Sequence, residues 1–137
     1  MSSVANQRIL VAGASGYAGA LAAELVDRHP ALELAAATSR SDAGQRLSAL
    51  YPQYRSEVVL EEFSLGAHGE LDGAIVAYPH GASAPVVAEL RAAGVPVVDL
   101  SADFRLSDQS VYEQWYVPHT APGLLEDAVY GLSLIHI

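Results

Sequence analysis

The chain contains no lysine and no cysteine. Without lysine there is no Walker-type Gly-Lys-Ser/Thr phosphate loop, no Schiff-base amine and no Tyr-x-x-x-Lys pair of the short-chain dehydrogenases. Without cysteine, disulfides, thiolate metal sites and thiol nucleophiles are excluded from these 137 residues. Positive charge is scarce: seven arginines stand against 16 acids, a formal net charge of −9. Non-specific nucleic-acid binding rests on neutralising phosphates, so no nucleic-acid partner is expected. Long apolar runs are missing too. The polar start, residues 1–8, leads only into Ile9–Ala12, too brief for a signal-peptide core, and no stretch approaches the ~18 apolar residues of a membrane span. No membrane partner is expected, and the expected compartment is the cytoplasm.

What the chain has is apolar mass. Its composition, 51% hydrophobic and 17% charged, allows a buried core in a chain about one domain long. Short β-like runs alternate with helical stretches. Residues 8–12 read as a buried strand closed by a glycine-rich turn. A helix is predicted from about Ala18 to Arg28, with Ala18, Leu21 and Leu25 sharing its apolar face, and Pro30 ending it. Leu32–Thr38 is a second strand, Val58–Leu60 a weaker one, Gly73–Ala77 a clear one and Val95–Leu100 another. A second helix spans about Ala82 to Ala93, with Val86, Leu90 and Ala93 on one side and Gly94 as its stop. Alternating strands and helices need crossover connections, which predicts a Rossmann-like doubly wound α/β fold with a parallel sheet. No internal repeat, low-complexity tract or interdomain linker is visible.

Gly13-Ala14-Ser15-Gly16-Tyr17-Ala18-Gly19 closes the first strand and opens the first helix. Small residues there permit a tight turn and close approach of a pyrophosphate, whose charge the helix N–H groups and dipole offset. The spacing is G-x-x-G-x-x-G rather than G-x-G-x-x-G, but the strand–turn–helix context is the required one. The alternative is a turn that only packs helix on strand. At the end of the second strand a carboxylate would bond the ribose 2′-hydroxyl of NAD, and an arginine would suit the 2′-phosphate of NADP. Here stand Thr38-Ser39-Arg40, with the first acid, Asp42, further on. NADP is the expected cofactor; a solvated loop arginine is the alternative.

Pro79-His80-Gly81 follows the strand at residues 73–77, on the carboxyl edge where open α/β sheets bind ligands. His80 reads either as a group contacting nicotinamide or as a turn residue. Asp99, Ser101, Asp103 and Arg105 crowd the loop after the next strand. They can hold a polar substrate or fix the loop as a buried salt-bridge network.

These segments carry a resemblance. The glycine turn 13–19, Thr38-Ser39-Arg40, Pro79-His80-Gly81-Ala82-Ser83-Ala84, residues 97–106 (Val-Val-Asp-Leu-Ser-Ala-Asp-Phe-Arg-Leu) and Ala128-Val129-Tyr130-Gly131-Leu132 occur in one order. Together they resemble the amino-terminal part of the N-acetyl-γ-glutamyl-phosphate reductases of arginine biosynthesis. The resemblance runs from about Arg8 to Leu132, less than half that family's length. It implies an NADP-dependent oxidoreductase that reduces an acyl phosphate to a semialdehyde: a cysteine thiolate displaces phosphate, the cofactor supplies hydride, and a histidine serves as acid and base. It places Gly13, Ser15, Gly16, Tyr17 and Gly19 around the pyrophosphate, Ser39 and Arg40 at the 2′-phosphate, and Pro79, His80 and Gly81 beside nicotinamide. It implies a small-molecule acyl-phosphate substrate and a homo-oligomer for the complete protein.

The family's cysteine follows its Tyr-Gly-Leu string through Pro-Glu, and Ser133 onward departs from that pattern. None of His29, His68, His80, His119 or His136 matches the family's acid/base histidine, so no catalytic residue is assigned. His119 lies in a family-like stretch where a core or helix-linking role is expected. The expectation is therefore a dinucleotide-binding domain over residues 1–132 and a divergent tail over 133–137. The fold would be truncated before the catalytic α+β domain, and the piece inactive alone. The alternatives are an N-acetyl-aminoadipyl-phosphate reductase of lysine biosynthesis and a non-catalytic NADP-binding module. Aspartate-semialdehyde dehydrogenase shares the chemistry but fits Pro79-His80-Gly81 less well.

Overall fold

The computed structural model describes residues 5–131; the tail expected at 133–137 lies outside the described residues. Four strands, β1 (Gln7–Ala12), β2 (Leu32–Thr38), β3 (Gly73–Val76) and β4 (Val97–Asp99), form one sheet in the order β2-β1-β3-β4. Every pairing is parallel, with one irregularity of register between Ile9 and Leu10. The helices are α1 (Tyr17–Arg28), α2 (Leu47–Leu50), α3 (Ser83–Ala92) and α4 (Gln109–Trp115).

Alternation along the strands sends side chains to two separate cores. Leu10, Ala12, Ala74 and Val76 pack with Val86, Val87 and Leu90 of α3. Ile9, Val11, Ala37 and Ile75 pack with Ala20, Ala23 and Val26 of α1. The sheet is thus covered on both faces, which is the doubly wound arrangement. Strand order reverses between β1 and β3, so the loops that leave their carboxyl ends part and open a crevice there.

Three expectations need correction. The α1 face carrying Ala18, Leu21 and Leu25 is exposed, and Gly19, Ala20, Ala23, Glu24 and Val26 are buried instead. Small residues let the helix approach the sheet closely, and that geometry outweighs the hydrophobicity of leucine. Glu24 goes inward because its carboxylate accepts the N–H groups of Arg55 at 3.1 Å and Ser56 at 2.8 Å, with Arg28 at 3.6 Å. Val58–Leu60 forms no strand; Arg46 and Val59 make an isolated bridge, and Leu60 is buried against α1's side of the sheet. β4 is shorter than expected, since Val95 and Pro96 form the approach to it. Gly94 does follow the end of α3. Among the described residues no helix is long and apolar enough to cross a membrane.

Candidate functional site

The turn after β1 separates glycines that the fold requires from one that it does not. Gly13 has φ +82°, and a Cβ there would stand 2.7 Å from the Ala77 carbonyl oxygen. A Cβ on Gly19 would run into the Gly13 carbonyl. Close packing of β1, β3 and α1 accounts for both. Gly16 has φ −79°, open to any residue, and its Cβ would meet only the Gly13 oxygen, at 3.8 Å. Packing within the described residues does not require that glycine. Gly16 is the N-cap of α1, it makes no side-chain cap, and no acid stands in the first turn. The helix therefore opens on uncapped N–H groups and its positive dipole end.

Neighbouring elements hold the turn rigid. The Thr38 carbonyl accepts the N–H groups of Gly13 (3.0 Å) and Ala14 (2.8 Å). The Ser39 hydroxyl is buried, donates to Ser15 Oγ at 2.8 Å and accepts the Asp42 N–H at 3.0 Å. Tyr51 donates its phenol to the Ser15 carbonyl at 2.6 Å, and burial, then Tyr17, raises that phenol's pKa. Nothing in the local pattern around Tyr51 signals this role. Arg40 is exposed at the same edge, its Cζ 4.8 Å above the centre of the Tyr78 ring. A cleft of about 420 Å³ lies beside it, lined by Ser39, Phe63, Tyr78 and Val86 among others.

Across the crevice, Pro79-His80-Gly81 is fixed by the 99–105 loop. The buried Asp103 carboxylate accepts the N–H groups of Gly81 (2.6 Å) and Ala84 (3.0 Å) and the Tyr112 hydroxyl (2.8 Å). Burial first, then its bond to Asp103, holds the Tyr112 phenol well above its ordinary pKa. His80 Nδ1 accepts the Ala102 N–H at 2.9 Å, which leaves Nε2 of the neutral ring as the donor. His119 Nδ1 accepts from Ala121, so its Nε2–H donates to the Asp103 carbonyl at 2.6 Å; this histidine is a buried link. Asp108 caps α4 through Ser110 and Val111, and the Ser110 hydroxyl, then those backbone bonds, lowers its pKa. The loop is held by hydrogen bonds rather than by a salt-bridge network. Arg105 donates to the Leu100 carbonyl at 2.9 Å and forms no ion pair among the described residues; its Nε is buried without a partner.

The structure thus brings Gly13, Ser15, Gly16, Tyr17, Gly19, Ser39 and Arg40 to one side of the crevice. Pro79, His80 and Gly81 lie on the other, at the carboxyl ends of β1, β2 and β3. Gly13, Gly19 and Ser39 are buried, and the Ser39 hydroxyl is already committed to two loop bonds.

A doubly wound parallel sheet with this glycine turn at its switch point is a Rossmann-like, NAD-binding type of domain. A family model described as "Semialdehyde dehydrogenase, NAD binding domain" matches residues 8–136. The chain belongs to that family, whose domain binds a nicotinamide dinucleotide. Curated relatives named N-acetyl-gamma-glutamyl-phosphate reductase include those of Syntrophobacter fumaroxidans, 46% identical over 94% of this chain, and Bordetella pertussis, 44% identical over 96%. The chain spans only 38% and 39% of their respective lengths. The crystal structure of aspartate semialdehyde dehydrogenase with NADP from Candida albicans has a similar fold. Its TM-score is 0.66 at 19% identity, over 77% of this chain and 32% of that one.

Proposed function

We propose that this chain is the NADP-binding part of a reductase that converts N-acetyl-γ-glutamyl phosphate to its semialdehyde, with residues 1–132 forming the dinucleotide-binding domain. One observation carries the cofactor half of this proposal: the uncapped start of α1 at Gly16 faces the crevice edge where Arg40 stands exposed. The names of the curated relatives support the substrate half.

The residues fit a phosphorylated dinucleotide. Ser15 and Tyr17 offer backbone donors to a pyrophosphate, the Gly16 N–H being turned to the Gly13 carbonyl at 3.4 Å, and Arg40 offers a cation to a 2′-phosphate. The cleft beside Arg40 has room for the adenosine end, with Phe63, Tyr78 and Val86 as its apolar part beside Glu62 and Glu89. When bound, the cofactor supplies hydride. His80 Nε2–H lies on the nicotinamide side as an orienting donor, and the Asp103 carboxylate fixes that turn. Arg105, with its buried unpartnered Nε, is the cation available to a substrate phosphate. Capturing the acyl group requires a thiolate, and this chain has no cysteine, so reduction by these 137 residues alone is not expected.

Arg40→Ala tests the cofactor choice. NADPH affinity should fall at least about tenfold, as for loss of a charge-assisted phosphate contact, while NADH affinity stays within about twofold. Equal losses for both cofactors, or none, would remove Arg40 from the phosphate site.

A further inference from the structure

We infer that Tyr78 is the residue that makes Arg40 selective for a phosphorylated ribose, by seating the guanidinium on its ring. This rests on the NADP proposal above and adds the origin of the preference.

Tyr78 ends the run from β3 and is only 7% exposed, packed within the α3-side core. Its hydroxyl lies 3.5 Å from Thr38 Oγ1, at the last residue of β2. The Thr38 carbonyl in turn holds the N–H groups of Gly13 and Ala14. The ring is therefore a fixed platform in register with the pyrophosphate turn, and Arg40, two residues beyond Thr38, lies across it at 4.8 Å.

The mode of contact matters. A guanidinium held by a carboxylate spends its in-plane N–H groups on that partner, often two at once. One held by an aromatic face is bound through its π surface and keeps all five in-plane donors for another acceptor. Arg40 has no carboxylate within ion-pair distance among the described residues, although Glu62 and Glu89 line the same cleft. The ring thus gives a long, rotamer-rich side chain a seat, with neither acid of the cleft ion-paired to it among the described residues. A phosphate arriving at the end of β2 meets an ordered arginine with free donors, so less side-chain freedom is lost on binding. A ribose without the phosphate offers those donors only a neutral hydroxyl, so its affinity depends little on the ring.

The test is to titrate the 137-residue chain, and its variants Tyr78→Phe and Tyr78→Leu, with NADPH and with NADH. Intrinsic and nicotinamide fluorescence report the affinities, and circular dichroism reports the fold. Tyr78→Phe keeps the ring and should keep the wild-type ratio of affinities within about twofold. Tyr78→Leu keeps an apolar core residue but loses the ring; NADPH affinity should fall roughly three- to tenfold with NADH nearly unchanged. If the leucine variant does not fold, Tyr78→Met, closer in length, carries the same expectation. A ring-free variant with the wild-type ratio, equal weakening of both cofactors, or a phenylalanine variant as impaired as the leucine one would overturn the inference. If the wild-type chain binds neither cofactor, or NADH better, the cofactor proposal itself fails and takes this inference with it.

Discussion

The Asp103 carboxylate accepts the Gly81 N–H at 2.6 Å, so an acid after β4 sets the shape of the turn after β3. The same carboxyl group receives Ala84 N–H and Tyr112 O–H, and all three partners are donors. Asp103→Asn places an amide NH₂ against at least one of them. Stability should fall by about 2–4 kcal/mol, since a buried group made to face a like donor loses its bond and its solvation. Urea unfolding monitored by circular dichroism checks this; a midpoint equal to wild type would show that the acceptor role is dispensable.

Tyr112 gives the fold an alkaline limit. Its phenol is raised in the folded chain by burial, by its bond to Asp103 and by that carboxylate's charge. In the unfolded chain it ionises near its ordinary value of about 10. Its contribution to stability is therefore complete below about pH 10 and is lost as pH rises through the higher folded value, because the unfolded state releases the proton first. Tyr51 adds a contribution of the same sign. Urea midpoints should drop as pH rises above about 10, and Tyr112→Phe should flatten that drop. An unchanged slope in the variant would contradict the assignment.

Gly16 and Gly19 should separate binding from folding. Gly19→Ala drives a methyl into the Gly13 backbone and should cost about 2–3 kcal/mol or more. Gly16→Ala meets one atom at 3.8 Å and should unfold with nearly the wild-type midpoint. It should nevertheless weaken NADPH about tenfold, because the methyl occupies the approach to the α1 N-terminus. If Gly16→Ala binds as wild type does, the turn serves packing alone.

Glu24 and Glu33 both face arginines, yet only one should matter. Glu24→Ala leaves the Arg55 and Ser56 N–H groups without their buried acceptor and should lower stability by about 2–3 kcal/mol. Glu33 pairs with Arg8 at 3.4 Å with half its side chain in solvent, and Glu33→Ala should cost less than about 1 kcal/mol. Comparable losses in the two variants would contradict the buried role of Glu24.

Legibility in the sequence followed the range of the interactions. β1, the glycine turn, α1 and β2 could be read locally, because strand runs, glycine and helix period are local signals. The face of α1 could not: Leu21 and Leu25 dominate a hydrophobicity count, but the sheet selects Gly19, Ala20 and Ala23 for close approach. Val58–Leu60 reads as a strand by composition, but at the outer edge of β2 the chain makes only isolated bridges, Glu61 to Thr38 and Val59 to Arg46. At the site, Arg40 and the Pro79–Gly81 turn were marked by their places after strands. The contacts that fix them join residues far apart in sequence: Tyr51 to Ser15, Tyr112 to Asp103, His119 to the Asp103 carbonyl. No spacing encodes such pairs. A lone tyrosine or glutamate in a polar stretch looks like surface until the fold brings it to its acceptor.

The most direct measurement is a titration of the isotope-labelled 137-residue chain with NADPH, followed through its backbone amide resonances. The amides of Ser15, Gly16, Tyr17 and Ala18 should shift most, with those of Arg40 and Gly81, while Asp27 and Arg28 at the far end of α1 stay still. Saturating shifts confined to other parts of the surface, or none at all, would contradict a dinucleotide site at the start of α1.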